Sequence, residues 1–238
     1  MSATTFPFKE NAYTLYANAQ CLCPHVQRAI RAFKAAKVPY VVEEIDMQNK
    51  PEWYHLVNPQ LKIPALRTPD GTILIESLVI AEFVADQFPE AGLLSSNATE
   101  RAQLRLFIEL FNSRLGSFIF RTLKASTVEE QNQAKESLLA GIRAVNDELE
   151  RQWQRSSGKS GPFWYGDKFS FAEIATVSFV DLLILPGHYR GMAIPETAEY
   201  AAFNKWKTAF SQHLLFTEVK LEDAVLIEAN KKYVAETK

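Results

Sequence analysis

Residues 12–36 read AYTLYANAQCLCPHVQRAIRAFKAA. The first seven, AYTLYAN, have the apolar and aromatic make-up of a short strand. From Pro24 to Ala36 the spacing of Val26, Ile30 and Phe33 predicts a helix. Cys21-Leu22-Cys23-Pro24-His25 therefore falls where a strand ends and a helix begins. Proline is favoured at the first helical position, where its missing N–H is not needed, so Cys23 is placed at the N-cap. There its sulfur faces unpaired backbone N–H groups and the positive end of the helix dipole. That setting favours thiolate over thiol, so Cys23 is expected to be a low-pKa nucleophile that an alkylating agent labels before Cys21. The competing reading is a buried, inert cysteine. A metal site is not supported, because structural zinc wants four ligands at wider spacing. A Cys21–Cys23 bridge would close a small, strained ring and is not expected to be stable.

Outward from this stretch, residues 38–45 (VPYVVEEI) form a second, β-branched strand, and residues 51–56 a helical turn. Residues 64–67 and 72–75 are short strands joined by the tight-turn signal Pro69-Asp70-Gly71, and residues 77–88 are helical. A β-α-β unit needs a parallel pair with a right-handed crossover; the β-β-α unit after it adds an antiparallel hairpin. Residues 89–97 (PEAGLLSSN) make a linker, with Asn97-Ala98-Thr99 read as a helix start. Beyond it the pattern is helical: residues 99–124, with Leu104, Phe107, Phe111, Leu115 and Phe118 along one stripe, then residues 128–153. Ser170 and Glu173 form a capping box ahead of a helix apolar on nearly all sides, and residues 201–210 and 218–229 complete the set. The expected architecture is α/β plus all-α. A thioredoxin-like domain with a mixed four-stranded sheet covers residues 1–90, and an all-helical domain covers residues 91–238.

Two further pairs carry chemistry. Ile63-Pro64 stands at a strand start; since only about 5–6% of X–Pro bonds are cis, the pair alone reads as trans. Glu76-Ser77 stands between a strand and a helix, where Ser77 is either a plain N-cap or part of an anion site at the helix N-terminus, with Glu76 ready for a cationic amine. His55, His188 and His213 show no partner spacing, and the four tryptophans read as core.

The chain has 238 residues, 26 basic against 28 acidic, with 47% hydrophobic and 23% charged residues. That composition excludes a disordered, collagen-like or disulfide-dense chain. No basic stripe marks a nucleic-acid partner, and no uninterrupted apolar run approaches the ~20 residues of a membrane span. The first residues lack a signal-peptide pattern, and the two cysteines are too close to clamp a long loop. A reducing, cytoplasmic setting is expected.

Taken in order, Cys23-Pro24-His25-Val26-Gln27-Arg28, Asn49-Lys50-Pro51-Glu52-Trp53, Asn58-Pro59, Ile63-Pro64 and Ile75-Glu76-Ser77 resemble the cytosolic glutathione transferases, specifically the omega class. The resemblance implies glutathione as co-substrate, no metal, and Cys23 as the catalytic residue. It also implies a cis bond before Pro64, against the base rate. Ser77 and the helix start behind it would hold the γ-glutamyl carboxylate, Glu76 the glutamyl amine, Ile63 the cysteinyl backbone and Lys50 the glycyl carboxylate. A cysteine in this place implies thioltransferase, deglutathionylation and glutathione-dependent reduction through an enzyme–glutathione mixed disulfide. Detoxification, a homodimer and a small hydrophobic or aromatic second substrate are also implied. His25, Phe111, Phe118 and Arg121 are candidates for the second-substrate site. The competing function is a ligand carrier or regulatory relative that binds apolar or polyphenolic molecules without turnover. The segment before Cys23 looks longer than in animal omega enzymes, His25 replaces a common aromatic residue, and Cys21 is an additional thiol.

Overall fold

The computed structural model describes residues 5–155 and 161–237, and the chain divides into two compact units, Met1–Leu93 and Leu94–Lys238. In the first, β1 (Tyr13–Ala17), α1 (Pro24–Ala36) and β2 (Tyr40–Glu44) form the β-α-β unit. Then come α2 (Tyr54–Val57), β3 (Ala65–Arg67), β4 (Ile73–Ile75) and α3 (Ser77–Gln87). The four-stranded sheet has the order β2-β1-β3-β4. β1 is parallel to β2 and antiparallel to β3, which is antiparallel to β4. This is the thioredoxin-like mixed sheet; β1 and β2 are one or two residues shorter at each end than the sequence pattern predicts, and β3 and β4 start one residue later.

Central β1 buries Leu15, Tyr16 and Ala17 completely. α1 and α3 pack together, and buried Ala29, Ala32, Ala81 and Ala85 let them approach closely. α2 belongs to a cluster with Tyr16, Ile45, Tyr54, Val57 and Ala65. α1 stops at Lys37, a left-handed residue (φ 56°) whose N–H returns to the Lys34 and Phe33 carbonyls. In the β3–β4 turn, Gly71 takes φ 94°, a conformation that suits glycine, and Asp70 accepts from the Thr68 hydroxyl and the Thr72 N–H.

The second unit is helical, and two expected helices are interrupted. The helix predicted over 99–124 becomes α4 (Ala98–Phe111), a π-turn over Asn112–Gly116, and α5 (Ser117–Lys124). α6 (Val128–Arg155) passes this turn so closely that a Cβ on Gly141 would lie 2.0 Å from the Arg114 carbonyl oxygen. The apolar helix after Ser170 becomes α7 (Phe171–Asp181) and α8 (Ile184–Arg190). Pro186 has no N–H for the Leu182 carbonyl, which accepts instead from Leu185 at 3.0 Å. α9 (Ala201–Ser211) matches its prediction, whereas the helix predicted over 218–229 begins later, as α11 (Asp223–Asn230), and a short turn of helix, α10 (Leu214–Thr217), precedes it.

α7 lies at the centre, every residue from Phe171 to Val180 buried. The expected capping box is formed there and extended: the Glu173 carboxylate accepts from the Ser170 N–H (2.8 Å) and hydroxyl (2.7 Å), the Trp164 N–H (2.9 Å) and the Trp206 indole (3.0 Å). Asn97 caps α4, accepting from Thr99 and Glu100. Asn146 of α6 accepts from the Ala202 and Phe203 N–H groups at the start of α9. Arg190 donates to the carbonyls of Thr122, Leu123 and Ala125 that α5 leaves open. Among the described residues one stretch, Phe171–Arg190, is long and apolar enough to span a membrane by composition, and 72% of its apolar window is buried within the protein.

Candidate active site

The sheet register explains why distant motifs meet. Tyr16 pairs with Ala65, and Ala65 with Ile75. The end of β1, the start of β3 and the end of β4 therefore lie at one edge, and Ala17 pairs with Glu44 at the end of β2 there too. From this edge emerge the Cys23 segment, Ile63-Pro64, Glu76-Ser77 and the loop that carries Lys50.

Cys23 is the N-cap of α1, in extended conformation (φ −74°, ψ 124°), with Pro24 at the first helical position. Its half-buried sulfur makes no capping hydrogen bond of ordinary geometry. Burial is the largest influence on the thiol and raises its pKa; the His25 and Val26 amides and the Arg28 charge oppose it without prevailing. This corrects the expected low-pKa thiol. The helix start favours thiolate as the sequence predicts, but burial outweighs it. Cys21 is raised as well, by burial, then by Glu44 and by Cys23.

Ser77 is the first residue of α3, and Glu76 holds the cap position. Ser77 is thus not the N-cap that the sequence suggests. Its buried hydroxyl lies 3.3 Å from Arg28 Nη1 and 3.3 Å from His25 Nδ1, and those two are 3.4 Å apart. Arg28, buried at 3% exposure, is lowered by burial to about 10 and remains charged at neutral pH. It donates to both neighbours, which makes His25 Nδ1 an acceptor and puts the neutral ring's proton on Nε2. His25 as a residue is exposed. Its pKa is lowered to about 4, first by burial and then by Arg28. Glu76 is exposed and adopts φ 69°, ψ 118°, a strained conformation for a residue with a Cβ.

The Ile63–Pro64 bond is cis. The Lys62 carbonyl ahead of it is held by the Tyr54 hydroxyl at 2.8 Å and the Asn58 amide at 2.8 Å. Tyr54, Asn58 and Arg28 thus support the site. None was a sequence candidate; the only signal was that Asn58 and Arg28 fall within the resembling motifs. Lys50 lies exposed in the loop between β2 and α2.

Arg121 is exposed, its guanidinium 4.4 Å from the ring centre of half-buried Phe118. Phe111 is fully buried, a correction to its expected place in a binding site: the apolar stripe that brought it forward is the core-facing stripe of α4. Among the described residues no group of three or more His, Cys, Asp or Glu could hold a metal ion.

Residues 19–92 match the family described as glutathione S-transferase, N-terminal domain. The chain is 26% identical to rat glutathione S-transferase omega-1 over 79% of its own length and 71% of the relative's. It is 27% identical to a rice protein named probable glutathione S-transferase DHAR1, cytosolic, over 73% of each. The structure of glutathione transferase Omega 1C from Trametes versicolor superposes with a TM-score of 0.70 at 29% identity, covering 94% of this chain and 97% of that one. The first unit thus carries a glutathione S-transferase N-terminal domain, and the chain with its following helical unit is similar to the glutathione transferases. Within that class the chain is omega-like.

Proposed function

We propose that this protein is a cysteine-dependent glutathione thioltransferase and reductase. The observation that carries the reading is Cys23 at the start of α1, on the same sheet edge as the cis Ile63–Pro64 bond and the Glu76-Ser77 helix start. The α3 N-terminus and Ser77, with buried Arg28 behind its hydroxyl, suit the γ-glutamyl carboxylate. Exposed Glu76 suits the glutamyl amine, and Lys50 the glycyl carboxylate. The backbone of Ile63, on a chain fixed at Lys62, suits the cysteinyl peptide. Glutathione held so has its sulfur directed to Cys23.

The Cys23 thiolate attacks the glutathionyl sulfur of a mixed disulfide. A Cys23–glutathione disulfide forms and the substrate leaves as thiolate. A second glutathione thiolate attacks that disulfide, giving glutathione disulfide and free Cys23. Deglutathionylation is this sequence. Dehydroascorbate reduction uses the same two-electron step, two glutathiones being oxidised to the disulfide. The working unit is a homodimer in the cytoplasm, and the second substrate is small and apolar or aromatic.

Turnover of a glutathionylated peptide by wild type and Cys23→Ser tests the reading. The variant loses turnover while still binding glutathione. Equal turnover in the two proteins overturns the assignment of Cys23. A light-scattering mass of a single 27.0 kDa chain at micromolar concentration overturns the dimer.

A further inference from the structure

Cys21 has no part in that sequence, yet the backbone presents it to Cys23. Gln20 and Cys21 both take left-handed conformations, φ 56° and 51°. The bend is tied by Cys21 N–H to the Asn18 carbonyl at 3.0 Å and by the Gln27 amide to the Cys21 carbonyl at 3.4 Å. Leu22, between the cysteines, is helical (φ −62°, ψ −24°). Consecutive Cα atoms are about 3.8 Å apart. A helical residue bends the trace near a right angle, bringing the outer two to about 5.5 Å where an extended residue leaves them about 7 Å apart. Disulfides span Cα separations of roughly 4.4–6.8 Å, so the bend brings the pair into range. Both cysteines are half-buried residues, and the Cys23 charge is felt at Cys21.

We propose that Cys21 is a resolving thiol: it closes a transient disulfide with Cys23 and so releases glutathione from the mixed disulfide. The proposal rests on the Cys23 chemistry above. The Cys21 thiolate, its proton gone to solvent, attacks Cys23 sulfur. The Cys23–glutathione bond breaks, the Cys21–Cys23 bond forms, and glutathione leaves as thiolate. Glutathione then attacks the bridge to regenerate the mixed disulfide or, through a second glutathione, both free thiols and glutathione disulfide. A small strained ring is easily reduced, which is the property that a catalytic rather than a structural disulfide has. The bend at Gln20-Cys21 holds the thiol where a direct extended link to β1 would not.

The test treats wild type, Cys21→Ser and Cys23→Ser with glutathione disulfide, quenches with acid, alkylates, and reads intact mass. Wild type is expected to lose two hydrogens, resist alkylation, and regain two alkylatable thiols on addition of glutathione. Cys21→Ser is expected to stop with one glutathionyl group on Cys23. If wild type instead accumulates the glutathionyl group while Cys21 stays alkylatable, the resolving role is overturned and the Cys23 chemistry stands. If neither wild type nor Cys21→Ser is altered, both readings fall together.

Discussion

At Cys23 a helix start and a half-buried position act in opposite directions, and the balance sets reactivity with pH. Burial raises the thiol above its ordinary 9.0, while the His25 and Val26 amides and Arg28 pull it back. A raised pKa means less thiolate at pH 7 than in a free thiol, so iodoacetamide labelling of Cys23 should still climb above pH 9. A plateau near neutrality would show that the helix start dominates after all. Arg28→Gln removes the opposing cation, and the same profile should move further to alkaline pH. An unmoved profile would limit Arg28 to supporting Ser77. Glu76 allows strain and binding to be separated. Its φ of 69° costs on the order of 1–3 kcal/mol for a non-glycine residue. Glu76→Gly should therefore raise or leave unchanged the urea midpoint, while glutathione affinity falls about ten- to a hundredfold for the lost charge-assisted bond. Calorimetry showing unchanged affinity would remove Glu76 from the site.

Among the elements, α6 and α7 show where the second unit is least tolerant. The Gly141 Cβ position is occupied by the Arg114 carbonyl of the π-turn, so Gly141→Ala has no side-chain tip to displace and must move backbone. A loss of about 1–3 kcal/mol in urea unfolding is expected; an unchanged midpoint would mean that α6 shifts freely. Glu173→Ala strands four buried donors, with an expected loss of roughly 3 kcal/mol or more. Glu173→Gln should lie between, since one amide end meets donors that it cannot accept. The elements also show what the sequence disclosed. α1 was legible end to end, because Pro24 opens it and its apolar spacing is unbroken. The capping box was legible because its two residues are local. The π-turn was not: it depends on Gly141, more than twenty residues away, letting a carbonyl bulge outward. The break before α8 had a local signal in Pro186, outweighed by the apolar run around it. Ser77 was placed one position early because the cap preference of serine outweighs that of glutamate, whereas here Ser77 turns inward to Arg28.

For the whole molecule, charge decides how an anionic co-substrate is drawn in. The chain carries a net charge of −2, so its overall field does not attract glutathione, itself negative at pH 7. Attraction must be local, and the groups available differ in how salt reaches them. Arg28 is buried and the α3 start is backed by protein, so added ions screen them weakly. Lys50 is exposed, and at physiological ionic strength its field decays over about 8 Å. If Lys50 meets the glycyl carboxylate, glutathione binding should weaken as salt rises, and most of that dependence should reside in this one side chain. Lys50→Ala should lower affinity at low salt by roughly the 0.2–1 kcal/mol of an exposed pair and flatten the salt dependence. Lys50→Glu should reverse its slope, since screening then relieves a repulsion. Calorimetric titrations from low to high sodium chloride distinguish these cases. Parallel slopes for wild type and Lys50→Ala would take Lys50 out of the site and leave the recognition of the anion to Arg28, Ser77 and the N-terminus of α3.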